Sequence, residues 1–234
     1  MKIKGPLIKG NFIDRPNRFL TIVKIKDKYV KSHLPDPGRL KEILTPGRVL
    51  FLRKDKFSTN RKTRYTTVLT DINGELVSLI STLPNLFIKE CIELNSLSFL
   101  DGLSIKKQEI RYGKHRFDFL LMDKENKPFY LEVKSVTYVE NGIAKFPDAI
   151  TERGLRHVMH LEKLGSKGLE VMVLFVVQRP DTICFQPQWE RDPKFSSALF
   201  KAWQNGLQVR VIKMEMTKDS FFFLGEIPYQ LYPG

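Results

Sequence analysis

Arg116-Phe117-Asp118-Phe119-Leu120-Leu121-Met122, the polar stretch Asp123-Lys124-Glu125-Asn126-Lys127, and Phe129-Tyr130-Leu131-Glu132-Val133-Lys134 decide the fold of this chain. The two outer runs are β-rich, and the turn formers between them predict a hairpin. Side chains alternate along a strand. Tyr130, Glu132 and Lys134 therefore share one face, Phe117, Phe119 and Leu121 share another, and Asp118 points opposite to those three. Pairing of the strands brings Asp118 near Glu132. Two carboxylates set in apolar strands are costly unless they are paired or bound to a metal. Mg2+, or Mn2+, suits such a pair, because it takes one or two carboxylates and keeps several waters. Lys134 would sit beside the metal, where it can orient a water or stabilise charge on a phosphoryl group. The competing reading is an exposed Asp and Glu with Lys134 as their ion-pair partner.

Outward from this hairpin the pattern predicts a helix near 85–97 and strands near 105–111, 115–122 and 129–136. A helix near 149–164 and a strand near 170–177 complete an α-β-β-β-α-β order. Val171 to Val177 is the longest apolar run and reads as a strand buried on both faces of an α/β layer. A helix near 193–205 and strands over 208–214 and 221–227 follow. On the first helix Leu86, Phe87, Leu94 and Leu97 form a stripe with Glu90 in its middle. Glu90 is thus a candidate third catalytic carboxylate; the alternative is a helix-edge acid paired with an arginine. Phe146-Pro147-Asp148-Ala149-Ile150-Thr151-Glu152-Arg153-Gly154 opens the second helix, with Thr151 or Asp148 as its N-cap. Leu155, Val158, Met159 and Glu162 are expected to face inward. Arg156 and His160 are expected outward, with Arg153 and His157, which are candidates to hold a nucleic-acid phosphate.

The first 80 residues read as short strands over 19–25, 29–30, 48–52, 65–72 and 75–80. Asn73-Gly74 is a strong hairpin turn between the last two. Leu34-Pro35-Asp36-Pro37-Gly38-Arg39-Leu40 forces a turn, read as leading into a short helix that ends before Pro46. Many short strands in a small basic unit predict an OB-like barrel. The net charge is +13 and the pI about 9.7, which favours a polyanionic partner. Residues 1–84 hold 18 basic and 7 acidic side chains, against 21 and 19 in the remainder. The loop Arg53 to Arg64 concentrates this charge. Arg53, Lys54, Arg61, Lys62 and Arg64, with Arg39 in the preceding turn, are the candidate phosphate contacts, and nothing in the loop reads bases. The pattern and charge change near 81–85, predicting a basic OB-like domain over 1–82 and an α/β domain over 83–234, the second of which the resemblance given below implies to be nuclease-like.

The rest of the chain mainly excludes. No run approaches the ~20 apolar residues that span a bilayer, so no membrane partner is expected. The N-terminus lacks a signal-peptide pattern, and Cys91 and Cys184 read as small core residues, so a cytoplasmic protein is expected. There is no Walker loop, no Gly-x-Gly-x-x-Gly and no Gly-x-Ser-x-Gly, and the four histidines make no zinc set.

Arg116-Phe-Asp118, Glu132-Val-Lys134, Phe146 to Gly154 and Val-Leu-Phe-Val-Val-Gln-Arg179 resemble the sugar fermentation stimulation protein A family. Leu34 to Leu40, and Asn85 with Glu90, fit the same pattern. The resemblance covers nearly the whole chain. It implies an OB-like domain followed by a restriction-endonuclease-like domain of the Asp…(Asp/Glu)-x-Lys kind, whose triad here would be Asp118, Glu132 and Lys134. It also implies DNA binding and a link to sugar-gene regulation. Pro35-Asp-Pro-Gly-Arg39 departs from the Pro-Asn-Thr-Gly form of many bacterial members. Two functions follow: a Mg2+-dependent phosphodiesterase acting on nucleic acid, DNA first, or a non-catalytic, non-specific DNA-binding regulator of sugar-metabolism genes.

Overall fold

The structure is a computed structural model that describes residues 1–55, 63–113 and 115–233, apart from the His115 side chain. Strands β1 (Leu7–Asn17), β2 (Leu20–Ile25), β3 (Lys28–His33), β4 (Val49–Lys54) and β5 (Tyr65–Ile72) form a closed barrel. β1 pairs with β2 and β4, β2 with β3, β4 with β5, and β3 with β5 in parallel. The barrel is the expected OB fold, filled by Phe12, Val23, Leu34, Leu50, Leu52 and neighbouring residues. β6 (Glu75–Ser78) folds back from β5 at Asn73-Gly74, where φ is 55° and 93°, as a two-residue hairpin turn requires. Strand β1 escapes sequence reading because Gly10 and Pro16 interrupt it. Gly10 is required by packing: a Cβ there would lie 2.7 Å from the Val23 side chain and 2.9 Å from the Lys24 carbonyl oxygen. The helix expected before Pro46 is a single turn, with Leu44 N–H donating to the Leu40 carbonyl at 2.8 Å.

The second half is a six-stranded mixed sheet. Its strands are β7 (Ser104–Tyr112), β8 (His115–Met122), β9 (Pro128–Val136), β12 (Glu170–Val177), β14 (Gln208–Met216) and β15 (Phe221–Glu226), in the order β15-β14-β12-β9-β8-β7. β9, β12 and β14 are parallel at its centre. β12 is buried from Val171 to Val177, as its continuous apolar run predicts. Helices α2 (Glu152–Gly165) and α3 (Pro193–Gln204) cover one face, and α1 (Leu83–Glu93) covers the other. A small sheet of β10 (Val139–Glu140), β11 (Ile143–Phe146) and β13 (Cys184–Pro187) caps one end. Those strands are too short for a hydrophobic period to show in sequence. Phe51, Val68 and Leu69 of the barrel share one apolar cluster with α1 and the large sheet, so a common core crosses the seam. Among the described residues no helix is long and apolar enough to cross a membrane.

Three sequence expectations are corrected. Phe119 and Leu121 pack on the α1 side of the sheet, whereas Phe117 packs on the α2 side. Alternation therefore fails across Asp118, and Glu109 of β7, which lies between the partners of Phe119 and Phe117, has a left-handed φ of 51°. Glu90 does not sit on a buried face. The helix ends at Glu93, so Leu97 does not belong to it, and its true inner face is Leu83, Phe87, Ile88, Cys91 and Ile92. Leu86 and Leu94 are exposed, and Glu90 lies 3.6 Å from the N-terminal ammonium. On α2, His157 points inward with Gly154, Val158, Leu161 and Leu164, while Met159 is exposed. The imidazole can be buried because a carboxylate on the sheet is there to meet it.

Candidate functional site

Strands β8 and β9 are paired up to Phe119 and Leu131 and then part. Asp118 stands at the fork. Its Oδ2 accepts the Val133 N–H at 2.8 Å, and its Oδ1 accepts Asn85 Nδ2 at 2.7 Å from the start of α1. Glu132, on the central strand β9, is 2 % exposed. Its Oε1 accepts Lys134 Nζ at 2.6 Å and is also hydrogen-bonded to His157 Nδ1. Its Oε2 is buried with no hydrogen-bond partner among the described residues. An ionised oxygen left in that state is costly.

The two carboxylates respond in opposite directions. Asp118 is pushed up to about 6, first by burial and next by the charge of Glu132. Burial would also raise Glu132, but Lys134 and His157 beside it prevail and hold it down at about 2. The pair is therefore one ionised acid and one reluctant acid, and a cation placed between them would relieve both. The unpartnered Oε2, the neighbouring carboxylate and the oxygen-only donor set fit a hard divalent ion. No group of three or more His, Cys, Asp or Glu side chains gathers as a metal cluster among the described residues. An ion here would accordingly be held by two carboxylates and waters.

His157 is positioned by the start of α2. Thr151 caps that helix by accepting the Gly154 N–H at 3.0 Å, and Asp192 accepts the Thr151 N–H at 2.8 Å while capping α3. The His157 ring meets Phe117 edge-on, with centroids 5.9 Å apart. The break at Asp118 that moves Phe117 across the sheet thus also builds the wall behind Glu132.

Asp118, Glu132 and Lys134 line a cleft of about 920 Å³ between the barrel and the sheet. Arg39 and Arg153 line it too. Arg53, Lys54 and Arg64 lie outside its lining, and Arg61 and Lys62 lie outside the described residues. Glu90 is also outside it, and His157 is buried behind Glu132, so it is corrected from a phosphate contact to a support of the carboxylate. Sequence reasoning left Asn85, Arg15, Arg18 and Asp148 out of the site. Asn85 had a local signal, a side-chain amide just after Pro84 at a helix start. The arginines and Asp148 reach the cleft only through tertiary packing.

The comparisons agree with an OB barrel followed by an α/β domain. The family profile described as "SfsA N-terminal OB domain" matches residues 13–79, and "Sugar fermentation stimulation protein RE domain" matches 82–220. A sugar fermentation stimulation protein homolog of Clostridium tetani is 38 % identical over 219 residues, covering 94 % of this chain and 95 % of its own. One from Methanosphaera stadtmanae is 40 % identical over 208 residues, covering 88 % and 86 %. The solved structure of Pyrococcus furiosus SfsA in complex with Ca2+ superposes with a TM-score of 0.90 at 29 % identity, covering 98 % of both chains. With both halves matched in order and the relatives aligned nearly end to end, the chain belongs to the sugar fermentation stimulation protein (SfsA) family.

Proposed function

We propose that the chain is a divalent-metal-dependent phosphodiesterase acting on nucleic acid, with DNA the first substrate to test and Mg2+ or Mn2+ the working ion. The observation that carries this reading is the buried, unpartnered Oε2 of Glu132 beside Asp118, with Lys134 on the other oxygen. The Ca2+ in the related Pyrococcus structure supports a divalent ion. The match of the first half to an OB domain supports a nucleic-acid partner. We also propose functional units of 1–82 and 83–234, the first gripping the strand and the second cutting it; the two profile matches on either side of that boundary support the division.

In this reading Glu132, through Oε2, and Asp118 would hold the ion. When bound, the ion supplies Lewis-acid polarisation of the phosphoryl group and activation of a water. His157 and Lys134 keep Glu132 ionised and fix its rotamer. Asn85 and the Val133 N–H do the same for Asp118. The Lys134 ammonium faces the cleft, where it stabilises negative charge gathering on the phosphoryl oxygens and orients the attacking water. The test is cleavage of labelled DNA and RNA with and without Mg2+ or Mn2+, in the parent and in Asp118→Ala. Metal-dependent cleavage that vanishes in the variant, while nucleic-acid binding persists, supports the reading. Binding without cleavage in the parent would leave the non-catalytic regulator instead.

A further inference from the structure

The walls of the cleft are tied together. Asp148, at the mouth of α2, accepts the Arg39 N–H at 2.7 Å and the Leu40 N–H at 3.4 Å, a hydrogen bond from the sheet half to the barrel half. Gly38 sits between Asp36 and Asp148 so tightly that a Cβ would lie 2.8 and 2.9 Å from their carboxylate oxygens. Arg191 donates to the Asp148 carbonyl at 3.0 Å and reaches Glu42 of the barrel at 3.6 Å. Ser81 Oγ donates to the Pro35 carbonyl at 3.2 Å. With the apolar cluster that crosses the seam, these contacts fix the width of the cleft.

The carboxylates lie at the floor of this fixed space. Its volume of about 920 Å³ is that of a small-molecule pocket, at the upper end of the usual ~300–1,000 Å³. A duplex carries its backbones on a broad, stiff cylinder and fits a pocket-sized space between two tied walls less readily than a single strand does. A single strand can, because its bases unstack and its backbone bends.

The rim is prepared for that strand. Arg18 and Arg39 from the barrel and Arg153 from α2 are exposed, line the cleft, and have no side-chain hydrogen bond or ion pair among the described residues. Arg15 holds the first two in place. Its guanidinium donates to the Arg39 carbonyl at 2.7 Å, the Arg18 carbonyl at 2.9 Å and the Asp36 carbonyl at 3.2 Å. A half-buried arginine committed to three backbone carbonyls preorganises two others for a ligand outside.

We infer that the substrate of this site is single-stranded polynucleotide, threaded between barrel and sheet with its phosphates taken by Arg18 and Arg39 on one wall and Arg153 on the other. The inference rests on the phosphodiesterase reading above for its chemistry but not for its binding geometry. The probes are a non-self-pairing DNA strand of about 20 nucleotides, longer than the ~4–16 that an OB barrel covers, the RNA of the same sequence, and the blunt DNA duplex. Binding is measured by fluorescence anisotropy with Ca2+, over a range of salt, and cleavage with Mg2+ and Mn2+. The expected result is at least tenfold tighter binding of single strand than of duplex. Arg39→Ala with Arg153→Ala should flatten the single-strand salt slope by about 1.4, at ~0.7 per phosphate contact. The DNA and RNA arms decide which sugar is preferred. Equal or tighter duplex binding, or an unchanged slope in the double variant, overturns the inference. If single-strand preference and arginine dependence hold but nothing is cut, this inference stands and the hydrolytic reading falls. If blunt duplex is cut as fast as single strand, the hydrolytic reading stands and this inference falls.

Discussion

Glu132 places two donors on one oxygen and leaves the other bare, and that asymmetry organises the residue scale. His157 does not touch the cleft, yet it is half of what holds Oε1. His157→Leu should therefore weaken Ca2+ binding by about 10- to 100-fold, the usual effect of losing a ligand's supporting partner, read by calorimetry. His157→Asn, which keeps a donor near the same place, should recover most of the affinity; equal loss in both variants would indicate general disruption instead. Asp118 gives a pH prediction. Its folded value of about 6 lies above the ordinary aspartate range, so the metal-free folded protein binds the proton more tightly than the unfolded chain. Stability from this group is present at low pH and is lost as pH rises from about 4 to 6, by about 1–3 kcal/mol. Glu132 acts in the opposite sense and in a lower window, its contribution being lost as pH falls toward 2. Because a divalent ion competes with the proton on Asp118, Ca2+ should raise the Tm more at pH 7.5 than at pH 5, measured by calorimetric scans. A Ca2+ effect that does not grow with pH would place the ion away from Asp118.

At the scale of elements, the fork between β8 and β9 and the start of α2 do the positioning. The fork replaces a ladder carbonyl with the Asp118 carboxylate at the Val133 N–H. The α2 start holds His157 on its inner side and Asp148 just ahead of its cap. Asp148→Ala removes the acceptor of the Arg39 and Leu40 N–H groups. It should cost about 1–2 kcal/mol in urea unfolding and speed hydrogen exchange at the Arg39 amide, with little change at amides of the buried strand β12. An unchanged Arg39 exchange rate would show that the loop is held by Arg15 and its neighbours alone.

At the scale of the whole molecule, the surplus of positive charge lies in the first third of the chain and the carboxylates in the second half, and a shared core holds them together. Removing Arg61, Lys62 and Arg64 together should flatten the salt dependence of single-strand binding by up to about 2 in log K against log salt. Affinity should drop by a similar factor for every sequence, because phosphate contacts carry no base information. A parental slope in the triple variant would leave the grip to the rim arginines of the cleft.

From the residues alone come the barrel without β1, the helices and large-sheet strands of the second half in order, and the meeting of Asp118, Glu132 and Lys134. Each rests on a local rule: the Asn73-Gly74 turn, the unbroken apolar run of β12, and strand alternation around a hairpin. Long-range packing sets the rest. The inward turn of His157 depends on a carboxylate 25 residues earlier, Phe117 and Phe119 pack on opposite faces of the sheet, and Glu90 leaves the site because α1 buries Phe87, Ile88, Cys91 and Ile92 instead. The tie from Asp148 to Arg39 spans 109 residues of chain. Periodicity reports which face of one element is apolar; it carries no information about which distant element supplies a polar partner. For that reason the carboxylate pair was legible in the chain, and the cleft that surrounds it was not.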